Sequence, residues 1–344
     1  MKLYPWQTDL WGRLLAARSA LPHAILLQGR AGIGKFALAR AFAQTLLCEQ
    51  TSDRGACGVC PACVWFGQGG HPDFRLLEPA SLSQTSEEAN SAESEAPSGK
   101  KVSQKINVAQ IRELADFINL TTHRNGMRIV LIHPAEAMNV QAANALLKTL
   151  EEPSAHSLII LLSHQPQQLL ATIRSRCQKM DVTMPSKEMA TAWLREQGVA
   201  DAELCLAQVG YAPLRALSLN DPDHQARRKA FLDQLRRPQA MDVITLAESS
   251  LKLDLAEVIS WLQKWVYDLL SAKLSGTIRY QLDYQPDLHA LAKHVKLSVL
   301  LAYQRELLAA QRAVQHPLNM QLLLEQLLLS YSKLTTSEEE LMYV

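Results

Sequence analysis

Hydrophobic positions along the chain follow two regimes that meet near residue 184. Before it, short continuous apolar runs alternate with stretches in which apolar residues recur every three or four positions. The runs lie at 23–28, 74–77, 128–132 and 158–162, with a weaker one at 179–182. Helical spacing marks 7–19 (Leu10, Trp11, Leu14, Leu15), 35–47, 108–121, 139–151 and 166–173. Continuous rather than alternating runs, separated by helices, predict a parallel sheet covered on both faces. Beyond 184 the strand signals stop. Ser186 caps a helix start with Glu188 in its first turn. Short helices follow to about 220, and helical periodicity then fills the rest, as in Val258, Ile259, Leu262, Trp265, Val266 and Leu269. The pattern predicts an α/β domain at 1–184, a small helical domain at 185–222 and an all-α domain at 223–344. Within the first, 78–105 is rich in Ser, Glu and Ala and poor in large apolar residues, which predicts a flexible surface insertion.

Composition adds limits rather than a function. With 344 residues, 48% hydrophobic and 20% charged, the chain can build a substantial core in two or three domains. A net charge of +1 excludes a globally basic nucleic-acid binder, so any such contact is local. Residues 1–6 lack the apolar core of a signal peptide, and no apolar run reaches spanning length, so a cytosolic protein without membrane contact is expected. In that setting the six cysteines are metal ligands or buried thiols rather than disulfides.

Two motifs carry chemistry. The first is Gly29-Arg30-Ala31-Gly32-Ile33-Gly34-Lys35-Phe36, set between an apolar run and a helix. It matches the phosphate-binding loop G-x-x-x-x-G-K-[ST] at seven of eight positions. Gly29, Gly32 and Gly34 let backbone N–H groups approach phosphates, and Lys35 reaches the β and γ positions. Phe36 replaces the hydroxyl that would sit on Mg²⁺, so a cradle is kept while a metal ligand is lost. The loop is closed if Phe36 fills the metal position or the N-terminal segment covers the pocket. The second motif is Cys48, Cys57, Cys60 and Cys63, spaced C-x8-C-x2-C-x2-C with Gly58 and Pro61 in the turns. Two-residue gaps bring thiolates onto one tetrahedral ion, which favours a structural Zn²⁺, with an iron–sulfur cluster as the competing reading. No histidine shares the ligand spacing; His71 is at most a fifth candidate. Cys177 and Cys205 are left as buried thiols.

Asn144-Ala145-Leu146-Leu147-Lys148-Thr149-Leu150-Glu151-Glu152-Pro153, followed by Ser175-Arg176-Cys177, closely resembles the clamp-loader branch of the AAA+ ATPases. The likeness covers the whole length, from the phosphate loop and four-cysteine module to the helical tail. It implies an AAA+ fold with a five-stranded parallel sheet, a helical lid, and a C-terminal collar joining five subunits. It further implies a ring shared with gamma/tau ATPase subunits and a delta subunit, which loads a sliding clamp on primed DNA in the bacterial cytoplasm.

The departures from that family are specific. ATP-hydrolysing members carry Asp-Glu after the strand at 128–132, where this chain has His133-Pro134, with Glu136 two residues late. Together with Phe36, two contacts to the catalytic Mg²⁺ are missing, and phosphoryl transfer depends on that ion. Resemblance therefore implies a subunit that does not hydrolyse ATP, with ATP or ADP binding doubtful. It also implies that Arg176 is an arginine finger offered to a neighbour's ATP, although Arg174 is the competing arginine by position. Arg215, in Gly210-Tyr211-Ala212-Pro213-Leu214-Arg215, matches the lid arginine that reaches a subunit's own nucleotide; a solvated helix residue is the alternative. The Glu151-Glu152 pair is expected to be structural. Two other functions remain open on sequence: a gamma-type ATPase with an unusual metal shell, and a zinc-dependent nucleic-acid-binding module.

Overall fold

The computed structural model describes residues 3–82, 103–120, 126–313 and 319–335. Most of the expected insertion, 83–102, lies outside the described residues. Its flanks meet where the Ser81 N–H donates to the Ser103 carbonyl at 3.2 Å. The chain divides into two compact units, Met1–Met189 and Ala190–Val344.

The first unit is built on five parallel strands: β1 (Ala24–Gln28), β2 (Phe74–Leu77), β3 (Arg128–Ile132), β4 (Ser157–Ser163) and β5 (Gln178–Asp181). Their order is β2-β3-β4-β1-β5. Side chains alternate between faces, and both faces are dry. Ile25, Leu27, Ile129, Leu131, Leu158 and Ile160 enter one core with α1 (Thr8–Ala16) and α2 (Lys35–Leu47). Leu26, Val130, Ile132, Ile159 and Leu161 enter the other, with α4 (Val108–Asn119), α5 (Val140–Glu151) and α6 (Ala171–Arg176). This two-sided burial is why the strands read as unbroken apolar runs. Between α2 and β2 lies the short α3 (Pro61–Gly67).

One helix differs from its sequence pattern. The stretch at 166–173 begins as a single 3₁₀ turn, Pro166–Gln168, and the α-helix starts only at Ala171. Leu169 and Leu170 intervene with extended ψ values of 145° and 135°, and Leu169 drives into the core from that conformation. A buried leucine here outweighs helical propensity.

Helix α7 (Lys187–Glu196) starts where expected, the Ser186 hydroxyl accepting the Met189 N–H at 3.2 Å. The second unit continues with α8 (Ala202–Gln208), α9 (Pro213–Ser218), α10 (Pro222–Leu235), α11 (Val243–Ser250), α12 (Leu255–Ser275), α13 (Gln285–His294), α14 (Leu297–Ala313) and α15 (Met320–Ser332). Its core gathers on α12, where Trp265 is fully buried. The Trp265 Nε1–H donates to the Tyr331 hydroxyl at 2.7 Å, and that hydroxyl donates to the Leu235 carbonyl at 2.7 Å. One polar chain thus ties α10, α12 and α15 together. Among the described residues no helix is long and apolar enough to cross a membrane.

Candidate functional site

The glycine loop leaves the carboxyl end of β1, the edge at which open parallel sheets place ligands. Gly29, at φ 153°, donates its N–H to the Ser163 carbonyl at 3.2 Å, and a Cβ there would lie 2.6 Å from the Val182 oxygen. Gly32 and Gly34 also carry positive φ, and Gly34 caps α2 from the left-handed region at 85°. A Cβ on Gly34 would meet two Tyr4 ring carbons at 2.5 and 2.6 Å and the Gln7 Nε2 at 2.8 Å. Trp6 Nε1 and Gln7 Nε2 both donate to the Ile33 carbonyl, at 2.9 and 3.0 Å, while Tyr4 stacks on Trp6 at 5.0 Å. Residues 4–7 therefore form a strap seated on the second half of the loop.

Lys35 is buried, and its ammonium donates to the Gly29 and Arg30 carbonyls at 2.6 Å each. The loop's own backbone holds the charge that would otherwise meet phosphate. Burial pulls the Lys35 pKa down to about 8, and the Glu136 carboxylate opposes that shift. Next to it, the Phe36 and His133 rings lie against each other with centroids 4.8 Å apart. His133 Nδ1 is 2.7 Å from Glu78 Oε1, and its ring meets the edge of His164 at 5.5 Å. Glu136 does not point at the loop alone: its Oε1 accepts the His164 N–H at 2.8 Å, bracing the ends of β3 and β4. Phe36 and His133, 97 positions apart in the chain, thus fill one spot with packed rings.

The four cysteines converge as their spacing predicts. Cys48 follows the last turn of α2, Cys60 caps α3, and Cys63 sits in the first turn of α3. All four sulfurs lie within 4.8 Å of one another, with Cys48–Cys60 at 3.9 Å and Cys57–Cys63 at 4.0 Å. A tetrahedral ion with sulfur ligands at about 2.3 Å spaces them about 3.8 Å apart, so the donor set fits a metal. The backbone N–H groups of Val59 and Cys60 pull the Cys57 pKa down to about 6, whereas burial pushes the Cys63 thiol up. Cys48 receives the N–H groups of Gln50 and Cys57, although burial pushes its thiol up. His71 stays outside the cluster, its Nδ1 accepting the Asp73 N–H.

Arg176 ends α6 and is half-buried. Its Nη2 lies 2.6 Å from Glu151 Oε1, and its Nη1 donates to the Thr172 carbonyl at 3.1 Å. Arg215 is exposed on α9 in the second unit. Cys177 and Cys205 are buried thiols, both pushed up by burial.

A family profile described as "DNA polymerase III, delta subunit" matches residues 10–186, and one described as "DNA polymerase III, delta subunit, C terminal" matches 222–333. The DNA polymerase III subunit delta′ of Pseudomonas aeruginosa is 36% identical over 350 residues, covering 96% of this chain and 98% of that protein. The chain belongs to the delta-prime family of DNA polymerase III clamp-loader subunits. The delta′ subunit of Yersinia pestis is 30% identical over 96% of each chain, and that of Escherichia coli 31% identical over 68% of this chain and 66% of its own. A solved gamma subunit-related protein from Thermotoga maritima aligns over 96% of this chain and 99% of its own, at 17% identity and a TM-score of 0.45. Membership of the clamp-loader complex, in a bacterial replisome, follows from the family.

Around this delta-prime loop, the residues that sequence reasoning passed over are Tyr4, Gln7, Glu78 and His164. None stands in a motif. Glu78 is 55 positions from the His133 it contacts, a separation without local signal.

Proposed function

We propose that this delta-prime subunit is a non-hydrolysing member of a five-subunit clamp-loader ring that lends Arg176 to the ATP of a neighbouring gamma/tau ATPase. The ring, which also includes a delta subunit, would load the sliding clamp on primed DNA. The observation that carries the first half is the packing of Phe36 against His133. Neither ring offers an oxygen to Mg²⁺, and without that ion the charge of a transferring phosphoryl group has no bridge. The strap over Gly34 and the capture of Lys35 by two carbonyls support the same reading: Gly29, Gly32, Gly34, Lys35 and Arg215 are inherited architecture rather than a working nucleotide site. Arg176 supports the second half by position, at the exposed end of α6 with a planar fork suited to phosphate oxygens. Cys48, Cys57, Cys60 and Cys63 would hold a structural Zn²⁺ that stiffens the segment between α2 and α3 without an open coordination position. The helices at 185–222 would serve as the lid and those at 223–344 as the collar.

Steady-state ATP hydrolysis tests this. The isolated chain should show no turnover, with or without primed DNA. DNA-stimulated turnover abolished by Lys35→Ala would overturn the non-hydrolysing reading. In a complex reconstituted with its ATPase subunits, Arg176→Ala should leave assembly intact and remove the turnover of the one site it faces. A finger contributes on the order of 10³–10⁵ in rate, so that site's share should vanish from the total. Unchanged hydrolysis would refute the finger.

A further inference from the structure

Glu151 and Arg176 are the last residues of α5 and α6, two helices anchored side by side beneath the sheet by Leu150 and Ile173. Their side chains meet at the surface at 2.6 Å, with 49% of Glu151 and 35% of Arg176 exposed. For Arg176 the position is favourable twice over, since a cation suits a helix C-terminus and its second nitrogen is held by the Thr172 carbonyl of its own last turn. For Glu151 it is not: a carboxylate at a helix C-terminus is opposed by the macrodipole. The guanidinium offsets that unfavourable placement, so the carboxylate's contribution lies in what it does to Arg176.

We propose that Glu151 is a positioning residue, a latch that parks Arg176 on its own subunit until a polyphosphate on the neighbour competes for the fork. This rests on the reading of Arg176 as the residue lent to that neighbour. The parked guanidinium already makes two charge-assisted or carbonyl contacts, and it must surrender both to reach phosphate. A partner's bound triphosphate offers more negative charge and can take both fork nitrogens, so it competes with Glu151 and Thr172 for the guanidinium and divides it between a parked and an engaged state. Between such moments the latch keeps the arginine out of solvent-exposed wandering and away from unproductive anions. An exposed ion pair is weak enough to release, and it biases the parked state by about two- to five-fold.

The test uses the complete clamp-loader complex and follows the Arg176-dependent part of its ATP hydrolysis, defined as what Arg176→Ala removes. Glu151→Gln keeps size and relieves the dipole conflict, so it should leave melting unchanged or slightly raised. It should lift the Arg176-dependent kcat about two- to five-fold with KM unchanged, because the tax falls on the competent fraction of the finger. Glu151→Asp, which keeps the charge but shortens its reach, should give a smaller rise. The gain should shrink as salt screens the wild-type pair. The double variant E151Q/R176A should match R176A alone. If Arg176→Ala removes turnover while Glu151→Gln and Glu151→Asp leave kcat unchanged or lower it, the latch is wrong and the finger stands. A rise that persists in E151Q/R176A also overturns the latch. If Arg176→Ala changes nothing, the finger reading fails and takes the latch with it.

Discussion

Replacing Gly34 with alanine tests whether the N-terminal strap is seated on the glycine loop. Two costs add in the single variant. An alanine held at φ 85° sits in the left-handed region, at roughly 1–2 kcal/mol. Its Cβ would also lie 2.5 and 2.6 Å from Tyr4 ring carbons, contacts that no Cβ tolerates, so the ring must leave its place beside Trp6. Overpacking of this kind costs about 1–3 kcal/mol. In a Tyr4→Ala background the second cost largely disappears, leaving the backbone strain and the approach to Gln7 Nε2 at 2.8 Å. Gly34→Ala should therefore be less harmful by about 1–2 kcal/mol when Tyr4 is absent. Denaturant melts of the wild type, the two single variants and the double variant complete the cycle. Contacting residues couple in this way, whereas independent sites add to within about 0.5 kcal/mol. Additive costs would mean that Tyr4 does not rest on Gly34 and that the strap at residues 4–7 does not close the second half of the loop.

Two further outcomes follow from the metal cluster and the helical core. The purified chain should contain one zinc, with four sulfurs at about 2.3 Å by X-ray absorption, and Cys60→Ser should lower both metal content and melting temperature; a pair of disulfides in place of the metal would refute the site. Tyr331→Phe should destabilise the chain by about 2–4 kcal/mol in denaturant melts, because the buried Trp265 N–H and Leu235 carbonyl both lose their partner; a change below about 0.5 kcal/mol would show that neither group depends on that hydroxyl.

The sheet was legible in the chain because each strand is buried on both faces, so that residues such as Ile159 and Ile160 are apolar although they point in opposite directions. The cysteine cluster was legible for a different reason: C-x2-C gaps constrain geometry locally, and α3 begins immediately after the third cysteine, which caps it. Helix α2 begins at Lys35 because the glycine before it supplies the left-handed cap that the turn requires. What the sequence hid was pairing at long separation. Phe36 and His133 were each legible as a missing metal contact, but nothing near Phe36 announces that the two rings pack together, and nothing near Gly34 announces the Tyr4 ring against it, because ring packing is chosen by shape and leaves no spacing rule. The Glu151–Arg176 pair was hidden differently. Both residues belong to recognisable segments, but only folding places the ends of α5 and α6 side by side.

Helix α2 carries the glycine loop at its first residue and the first cysteine of the cluster immediately after its last. Its 13 residues make a rod of about 20 Å. The two ends behave as a pair of calipers with a locked jaw, so the four sulfurs and the loop keep a set distance whatever docks on either. The loop and the sulfur cluster are thus the two end marks of one ruler about 20 Å long.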